Sequence, residues 1–290
     1  MARLKPCPFK TQAGCEVSKA MFDLPVLETA VAHTIYAGKL HFSPVTQSTN
    51  TDALKAARAG APHGSVYFAD EQLAGRGRGD HAWHSAAGQG LYVSILLHPP
   101  FPAARLPLLS FAAGLAAANA IQAATQLSMD LRWPNDLLIG PRKVGGILVE
   151  SKTEAGNVAY AVVGIGINVH HREFPGDLAT PATSLDFETR RQVSRQALLI
   201  ELLNSLESET LSLHDPAAVS SILRRVQQAS TWIAGRRVYV HGPQACTGDT
   251  EGLDESGFLL VRTAAGLVTV QTGGLRAAED QPTLESNPEI

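Results

Sequence analysis

Cysteine is scarce: three residues, Cys7, Cys15 and Cys246, in a chain of 290. An odd, scattered set does not read as a disulfide framework and fits a reducing cytoplasm. Net charge is also small, −3 at neutral pH, so a general nucleic-acid binder is not implied. No apolar run of signal-peptide length opens the chain, and the first 20 residues read as a loose tail. Only Leu106–Ala124 mimics a membrane span. It is alanine-rich and carries Ser110, Asn119 and Gln122, so a buried core helix is the better reading and no membrane contact is expected. His170-His171 and His81/His84 lack partners at zinc-site intervals, so no protein-ligated metal is expected. Repeats and low-complexity tracts are absent too. The length suffices for one large domain and a small one.

What is present concentrates in a few places. Residues 132–150 read Arg-Trp-Pro-Asn-Asp-Leu-Leu-Ile-Gly-Pro-Arg-Lys-Val-Gly-Gly-Ile-Leu-Val-Glu. Two apolar runs, Leu137–Ile139 and Val144–Val149, flank Gly140-Pro141, which is turn chemistry. Pro134 disfavours helical geometry at Trp133, which places Asn135 and Asp136 on a loop at a strand end. Gly145 and Gly146 weaken a strand and mark a close approach to its backbone. Trp133 itself reads as core packing rather than ligand contact.

A second cluster, Gln72-Leu-Ala-Gly-Arg-Gly-Arg-Gly-Asp-His-Ala-Trp-His-Ser85, follows a strand-like run at residues 65–69 and precedes another at 91–97. Gly75, Gly77 and Gly79 permit positive φ and let successive N–H groups converge on an anion. Arg76 and Arg78 add planar, permanent cations suited to phosphate or carboxylate. A solvated linker or an RNA-binding Gly-Arg segment is the alternative, but a cationic loop held between two strands reads better as a lid over a phosphate-bearing ligand.

The periodicity predicts helices near 27–40, 52–58 (capped by Asn50 or Thr51), 106–126, 195–209 (capped by Ser194) and from Asp215-Pro216 to about Ala229. Strands are expected at 41–46, 65–69, 91–97, 129–132, 137–139, 144–150 and 158–165. Three short ones follow, 237–240, 257–261 and 267–271, a pattern of small β-barrel type.

Together, Ser48-Thr49-Asn50, the Gly-Arg-Gly-Arg loop ending in Trp83, Trp-Pro-Asn-Asp, Lys143-Val-Gly-Gly-Ile-Leu-Val-Glu and Gly164-Ile-Gly-Ile-Asn-Val resemble the biotin protein ligases, also called biotin–[acetyl-CoA-carboxylase] ligases. Phe174-Pro175 and Ala182-Thr183-Ser184-Leu185 extend the resemblance, which runs from about residue 41 to 278. It implies an α+β fold: a mixed β-sheet with helices packed against it, of the class II synthetase-like biotin/lipoate ligase type, plus a small C-terminal SH3-like barrel. The expected division is a tail and helix over 1–40, a catalytic domain over 41–230, the SH3-like domain over 231–280 and a tail over 281–290.

The resemblance further implies ATP, with Mg²⁺ on its phosphates, and biotin as substrates, without a tightly bound protein-ligated metal. Biotin is activated as biotinyl-5'-AMP and passed to a lysine of a biotin carboxyl carrier protein, in a cytoplasmic monomer or homodimer. Arg78, Lys143 and Asp136 are then the catalytic candidates. Asp136 orients or deprotonates the incoming amine, or holds Lys143 and a metal-bound water. Biotin contacts fall to Ser48, Thr49, Asn50, Gln72, Arg76, Gly77, Arg78, Lys143, Gly145 and Gly146. ATP contacts fall to Arg78, Trp83, Asn135, Asp136, Lys143 and Asn168. Alone, Ser48-Thr49-Asn50 would be an N-cap box, Asn168 a strand-end cap and Lys143 an exposed hairpin lysine. His81 and His84 read as loop residues.

Two departures qualify the match. The family often continues the Gly-Arg-Gly-Arg loop with basic residues, whereas Gly79-Asp80-His81-Ala82 stand here, which implies a weaker grip on nucleotide phosphates. About 40 residues precede the first expected strand, too few for a winged helix-turn-helix and linker. The monofunctional form without operator binding is therefore expected. A lipoate–protein ligase of the same fold is the nearest alternative, and a non-catalytic biotin-sensing regulator a more distant one.

Overall fold

The computed structural model describes residues 22–79, 81–176, 178–213 and 215–280. The expected tails, Cys7, Cys15 and Asp80 of the loop lie outside the described residues. A mixed seven-stranded sheet is built from β1 (Leu40–Thr46), β2 (Ser65–Gln72), β3 (Gly90–Leu97), β4 (Asp130–Arg132), β5 (Asp136–Ile139), β6 (Arg142–Glu154) and β7 (Asn157–Asn168), in the order β1-β2-β3-β7-β6-β5-β4. Only β1 and β2 run parallel. The crossover between them is α2 (Thr49–Arg58), as a parallel pair requires.

Alternation along β3 assigns the two faces of this sheet. Leu91, Val93, Ile95 and Leu97 belong to the large core under α3 (Leu106–Thr125) and α5 (Arg195–Ser212). Leu96 packs instead with Ala53 and Ala57 of α2 and Val162. Ser94 and Tyr92 share that second face by parity. α3 is long and apolar enough to span a membrane by composition, but its buried residues include Leu108, Phe111, Leu115 and Ile121, and it packs on α5 and on β6 and β7.

A second, antiparallel sheet of five strands follows α6 (Pro216–Gln228): β8 (Ala234–His241), β9 (Cys246–Leu253), β10 (Leu259–Thr263), β11 (Gly266–Val270) and β12 (Gly274–Ala277), ordered β11-β10-β9-β8-β12. Val238, Val240, Leu259, Val261 and Leu275 join the same apolar cluster as the first sheet. Trp133, 3% exposed, donates its indole N–H to Gly257 O across the two parts at 3.3 Å.

Several boundaries differ from expectation. The first helix is α1 (Leu24–Ala30), not 27–40: Asp23 accepts from Val26 N, Pro25 sits in the first turn, and residues 31–38 form turns, one closed by the Thr34 hydroxyl on Val31 O. Ser48, not Asn50 or Thr51, is the N-cap of α2, because the Asn50 amide is drawn into contacts with Ser94 and Glu150. Asp136 begins β5 rather than lying in the loop, and a turn at Trp133-Pro134-Asn135, with a cis Trp133–Pro134 bond, precedes it. The sequence reading missed β9, β12 and the short α4 (Leu185–Thr189). In β9 the inward positions are Gly248, Thr250 and Gly252, so no apolar alternation marks it. Gly257 turns with φ of +84° instead of starting β10.

Candidate functional site

Three glycines form a floor on the α2 side of the sheet. Gly146 pairs with Gly166 across β6 and β7, and Gly164 pairs with Ser94 across β7 and β3. A Cβ on Gly166 would stand 2.5 Å from Trp83 Nε1, and one on Gly164 would stand 2.0 Å from Asn50 Oδ1. Trp83 and Asn50 therefore lie directly on the strands, where any side chain would exclude them. The Gly164-Ile-Gly-Ile-Asn and Lys143-Val-Gly-Gly motifs are two halves of one surface.

At one end of this floor hydroxyls and amides gather beside the Arg76–Glu150 ion pair. Ser48, Thr49 and Asn50 are buried at the start of α2. Gln72 accepts from the Thr49 backbone N–H at 2.8 Å and hydroxyl at 3.1 Å, and donates to Ser85 Oγ at 2.8 Å. Ser94 Oγ sits 2.7 Å from Thr49 Oγ1 and 2.5 Å from Asn50 Oδ1. Asn50 Nδ2 donates to Glu150 at 2.9 Å, and Arg76 grips the same carboxylate with both terminal nitrogens, at 3.0 and 2.6 Å. Such a cluster offers donors and acceptors to a neutral polar ligand ring.

At the other end the groups are charged. Lys143 Nζ stands 2.5 Å from Asp136 Oδ1 and 5.4 Å from the centre of the Trp83 ring. Arg132 donates from Nε and Nη2 to Asp136 Oδ2, at 3.2 and 2.7 Å. Burial alone would raise the Asp136 carboxyl, but Lys143 and Arg132 outweigh it and hold the group below its ordinary value. Arg78 donates to the Gly273 carbonyl and, at 2.7 Å, to Thr272 Oγ1, both in the turn between β11 and β12. Burial lowers its pKa, and the nearby Asp136 partly offsets this.

One cavity of about 470 Å³ joins the two ends, a volume suited to a small-molecule ligand. Every sequence-predicted site residue lines it except Gly145. A Cβ there would meet Gly166 O at 2.8 Å and Leu137 Cδ1 at 2.9 Å, so Gly145 packs between strands and does not face a ligand. Arg78 and Lys143 line the same space, as a shared anionic junction requires. Among the described lining residues Arg78, Arg132, Lys143 and Arg276 outnumber the one acid, Asp136, while Arg76 is paired with Glu150 just outside the lining. That imbalance favours an anion.

The glycine-rich loop differs in detail from the expected anion cradle. It folds as a tight hairpin: Gly77 N donates to His81 O at 2.7 Å, Trp83 N donates to Gly75 O at 2.8 Å, and Arg76 pairs with Ala82. Those N–H groups are satisfied within the loop, and among Gly75, Gly77 and Gly79 only Gly79 has positive φ. Asn135 and Asn168 reach the cavity but already have partners. Asn135 Nδ2 donates to Ile147 O at 2.8 Å, and Asn168 Nδ2 donates to Thr183 O at 3.1 Å.

Sequence reasoning missed four contributors. Arg132 and Glu150 only bound the 132–150 stretch in sequence, with nothing to mark a role. Ser94 is hidden in an apolar strand, and the Thr272-Gly273 turn lies 194 residues from Arg78 in sequence. His171, weighed in sequence only as a metal ligand, is buried beside the site. It is 4% exposed, stacks on Phe174 at 5.4 Å and approaches His84 at 5.9 Å. Burial foremost, with the neighbouring His84 and His170, lowers its pKa to about 4.

Comparison with known proteins bears on the family and the fold. Residues 42–168 match the model of the biotin/lipoate A/B protein ligase family. The bifunctional ligase/repressor BirA of Bacillus spizizenii is 37% identical over 170 residues, 58% of this chain and 52% of that protein. The chain thus spans about half the length of that relative. The biotin–[acetyl-CoA-carboxylase] ligase of Paracoccus denitrificans is 34% identical over 230 residues, covering 76% of this chain and 93% of that one. Among solved structures, the biotin protein ligase of Aquifex aeolicus in complex with biotin and ATP aligns with a TM-score of 0.72 at 28% identity, over 82% of this chain and 98% of that one.

Proposed function

The chain belongs to the biotin/lipoate A/B protein ligase family, and from that we propose that it is an ATP-dependent ligase joining biotin to a lysine of a biotin carboxyl carrier domain. The biotin carboxylate attacks the α-phosphorus of Mg²⁺-bound ATP, forming biotinyl-5'-AMP as the bond to pyrophosphate breaks. The carrier's lysine amine then attacks the acyl carbon of that mixed anhydride. An amide forms, AMP leaves and the amine gives up a proton.

Each compartment of the cavity has a part in this scheme. Ser48, Thr49 and Gln72 take the neutral cyclic urea of biotin. The Gly146–Gly166 floor seats the Trp83 indole, which offers adenine a flat, apolar surface. Lys143, and Arg78 once released from the C-terminal turn, balance the charge that develops on the phosphoryl oxygens. Asp136 holds the Lys143 ammonium in place. The observation that carries the reading is the continuous cavity itself, lined by hydroxyls and amides at one end and cationic at the other, with Lys143 on the glycine floor.

The test incubates the full chain with Mg²⁺-ATP, a carrier domain and labelled biotin or lipoate. Transfer of biotin and not lipoate is expected, with Lys143→Ala slowing pyrophosphate release about 10²–10³-fold, as for loss of one charge-stabilising donor. Lipoate transfer, or a Lys143→Ala enzyme as fast as wild type, would overturn the assignment.

A further inference from the structure

Arg132 is a guanidinium 8% exposed, and burying such a charge is strongly unfavourable unless its donors are met. They are met in one direction. Nε and Nη2 both converge on Asp136 Oδ2, and Nη2 also reaches Thr180 Oγ1 at 2.8 Å. Its planar face lies 5.2 Å from the centre of the Trp232 ring. Trp232, 6% exposed, immediately precedes the C-terminal sheet, and Arg236 of β8 lies over the same ring at 3.6 Å. The junction is pinned further by Thr231, whose N–H and hydroxyl donate to the two oxygens of Asp130 at 2.8 and 2.6 Å. Asp130 and Arg132 stand two positions apart on β4, so this three-residue strand holds the inter-sheet junction and the Asp136 carboxylate together.

We infer that Arg132 is a positioning residue for the ligation chemistry: clamped by Trp232, it orients the Asp136 carboxylate and thereby the Lys143 ammonium. The two Asp136 oxygens are divided between the cations, Oδ2 to Arg132 and Oδ1 to Lys143. Two charges on different strands therefore set the plane of the carboxylate. Arg132 also braces the backbone of Lys143. Thr180 leads into the segment whose Pro181 O accepts from Lys143 N at 2.7 Å and whose Thr183 N donates to Lys143 O at 2.9 Å. Lysine at position 132 would keep the charge but lose the fork and the stacked plane. The charged or titratable groups facing Asp136 are Lys143 from β6, Arg132 from β4, Arg78 from the glycine loop and His241 from the C-terminal sheet.

The kinetic part of this inference rests on the ligase reading, and its structural part does not. The experiment therefore has two readouts on the full chain: carboxyl NMR titration of Asp136 without ligand, and pyrophosphate release with biotin and Mg²⁺-ATP. In Arg132→Gln the Asp136 titration should move upward by about one pH unit or more, since burial is then opposed by fewer cations. Its kcat should fall on the order of 10–10²-fold while biotin affinity stays within about threefold of wild type, the pattern of a misaligned group rather than a lost binding contact. Arg132→Lys should restore the titration but only part of kcat. Trp232→Leu should lower kcat with Arg132 still in place. An Arg132→Gln protein with unchanged kcat and unchanged Asp136 titration overturns the inference. If that variant does not fold, wild-type kcat in both Arg132→Lys and Trp232→Leu overturns it equally. A wild-type protein that releases no pyrophosphate sinks the ligase reading alone, and the titration then decides the role of Arg132.

Discussion

Replacing Gly164 by alanine adds one methyl group and should disable the hydroxyl-and-amide end of the site. The new Cβ would stand 2.0 Å from Asn50 Oδ1 and 2.8 Å from its Cγ, so the amide has to retreat by more than an ångström. Asn50 cannot retreat freely. It is held by Ser94 at 2.5 Å and Glu150 at 2.9 Å, and Glu150 is held by Arg76. Two buried hydrogen bonds at about 1 kcal/mol each and an overpacking penalty of about 1–3 kcal/mol sum to roughly 3–5 kcal/mol. For a chain of this size that lowers the melting temperature by about 5–8 °C. Because Thr49 shares Ser94 with Asn50, biotin affinity should fall in parallel. Differential scanning calorimetry and biotin titration measure both effects. The specific check is the pair Gly164→Ala/Asn50→Ala. Truncating Asn50 removes the three atoms nearest the new methyl, so the double variant should be less destabilised than the sum of the singles by about 1–3 kcal/mol. Strict additivity, or a melting temperature for Gly164→Ala equal to wild type, would refute the glycine-floor argument.

Two further predictions concern dynamics and pH. Amide exchange at residues 75–85 should slow when biotin and ATP are added together, because closure of the loop shields a hydrolysable anhydride from water; unchanged exchange rejects the lid. His171 should make the fold sensitive to acid. Its pKa of about 4 in the folded protein lies below the ordinary value near 6.5. Its contribution is thus fully present above about pH 6.5 and is lost as pH falls toward 4, amounting to about 2 kcal/mol between pH 7.5 and 5. Urea midpoints at the two pH values, compared with His171→Phe, should show a flatter pH dependence in the variant; parallel curves reject the assignment.

Legibility varied with how local the determining physics was. The hairpin around Gly140-Pro141, the core strand at 91–97 and the α3 pattern are set by neighbours within a few residues, and they were readable. Helix starts were not: Asn50 is a good cap by type, but a partner 100 residues away, Glu150, takes its amide, and the helix begins earlier. β9 escaped because its inward positions are Gly248, Thr250 and Gly252, small groups chosen by a crowded neighbour. A Cβ on Gly248 would stand 2.3 Å from Arg262 O. In the site, the glycines looked alike in sequence. Of the four glycines on β6 and β7 at this point, Gly146, Gly164 and Gly166 line the cavity, while Gly145 packs against Gly166 O and Leu137.

By itself, the sequence determined the chemical inventory: two arginines on a glycine loop, a lysine ahead of paired glycines, and hydroxyls and amides suited to a neutral ring. These depend on residue type and short spacing. Tertiary structure alone decided which charges meet. Arg76 lies on Glu150 across 74 residues and Arg78 on the Thr272-Gly273 turn across 194. Ion pairing falls off within a few ångströms, and those distances exist only once strands far apart in the chain lie side by side.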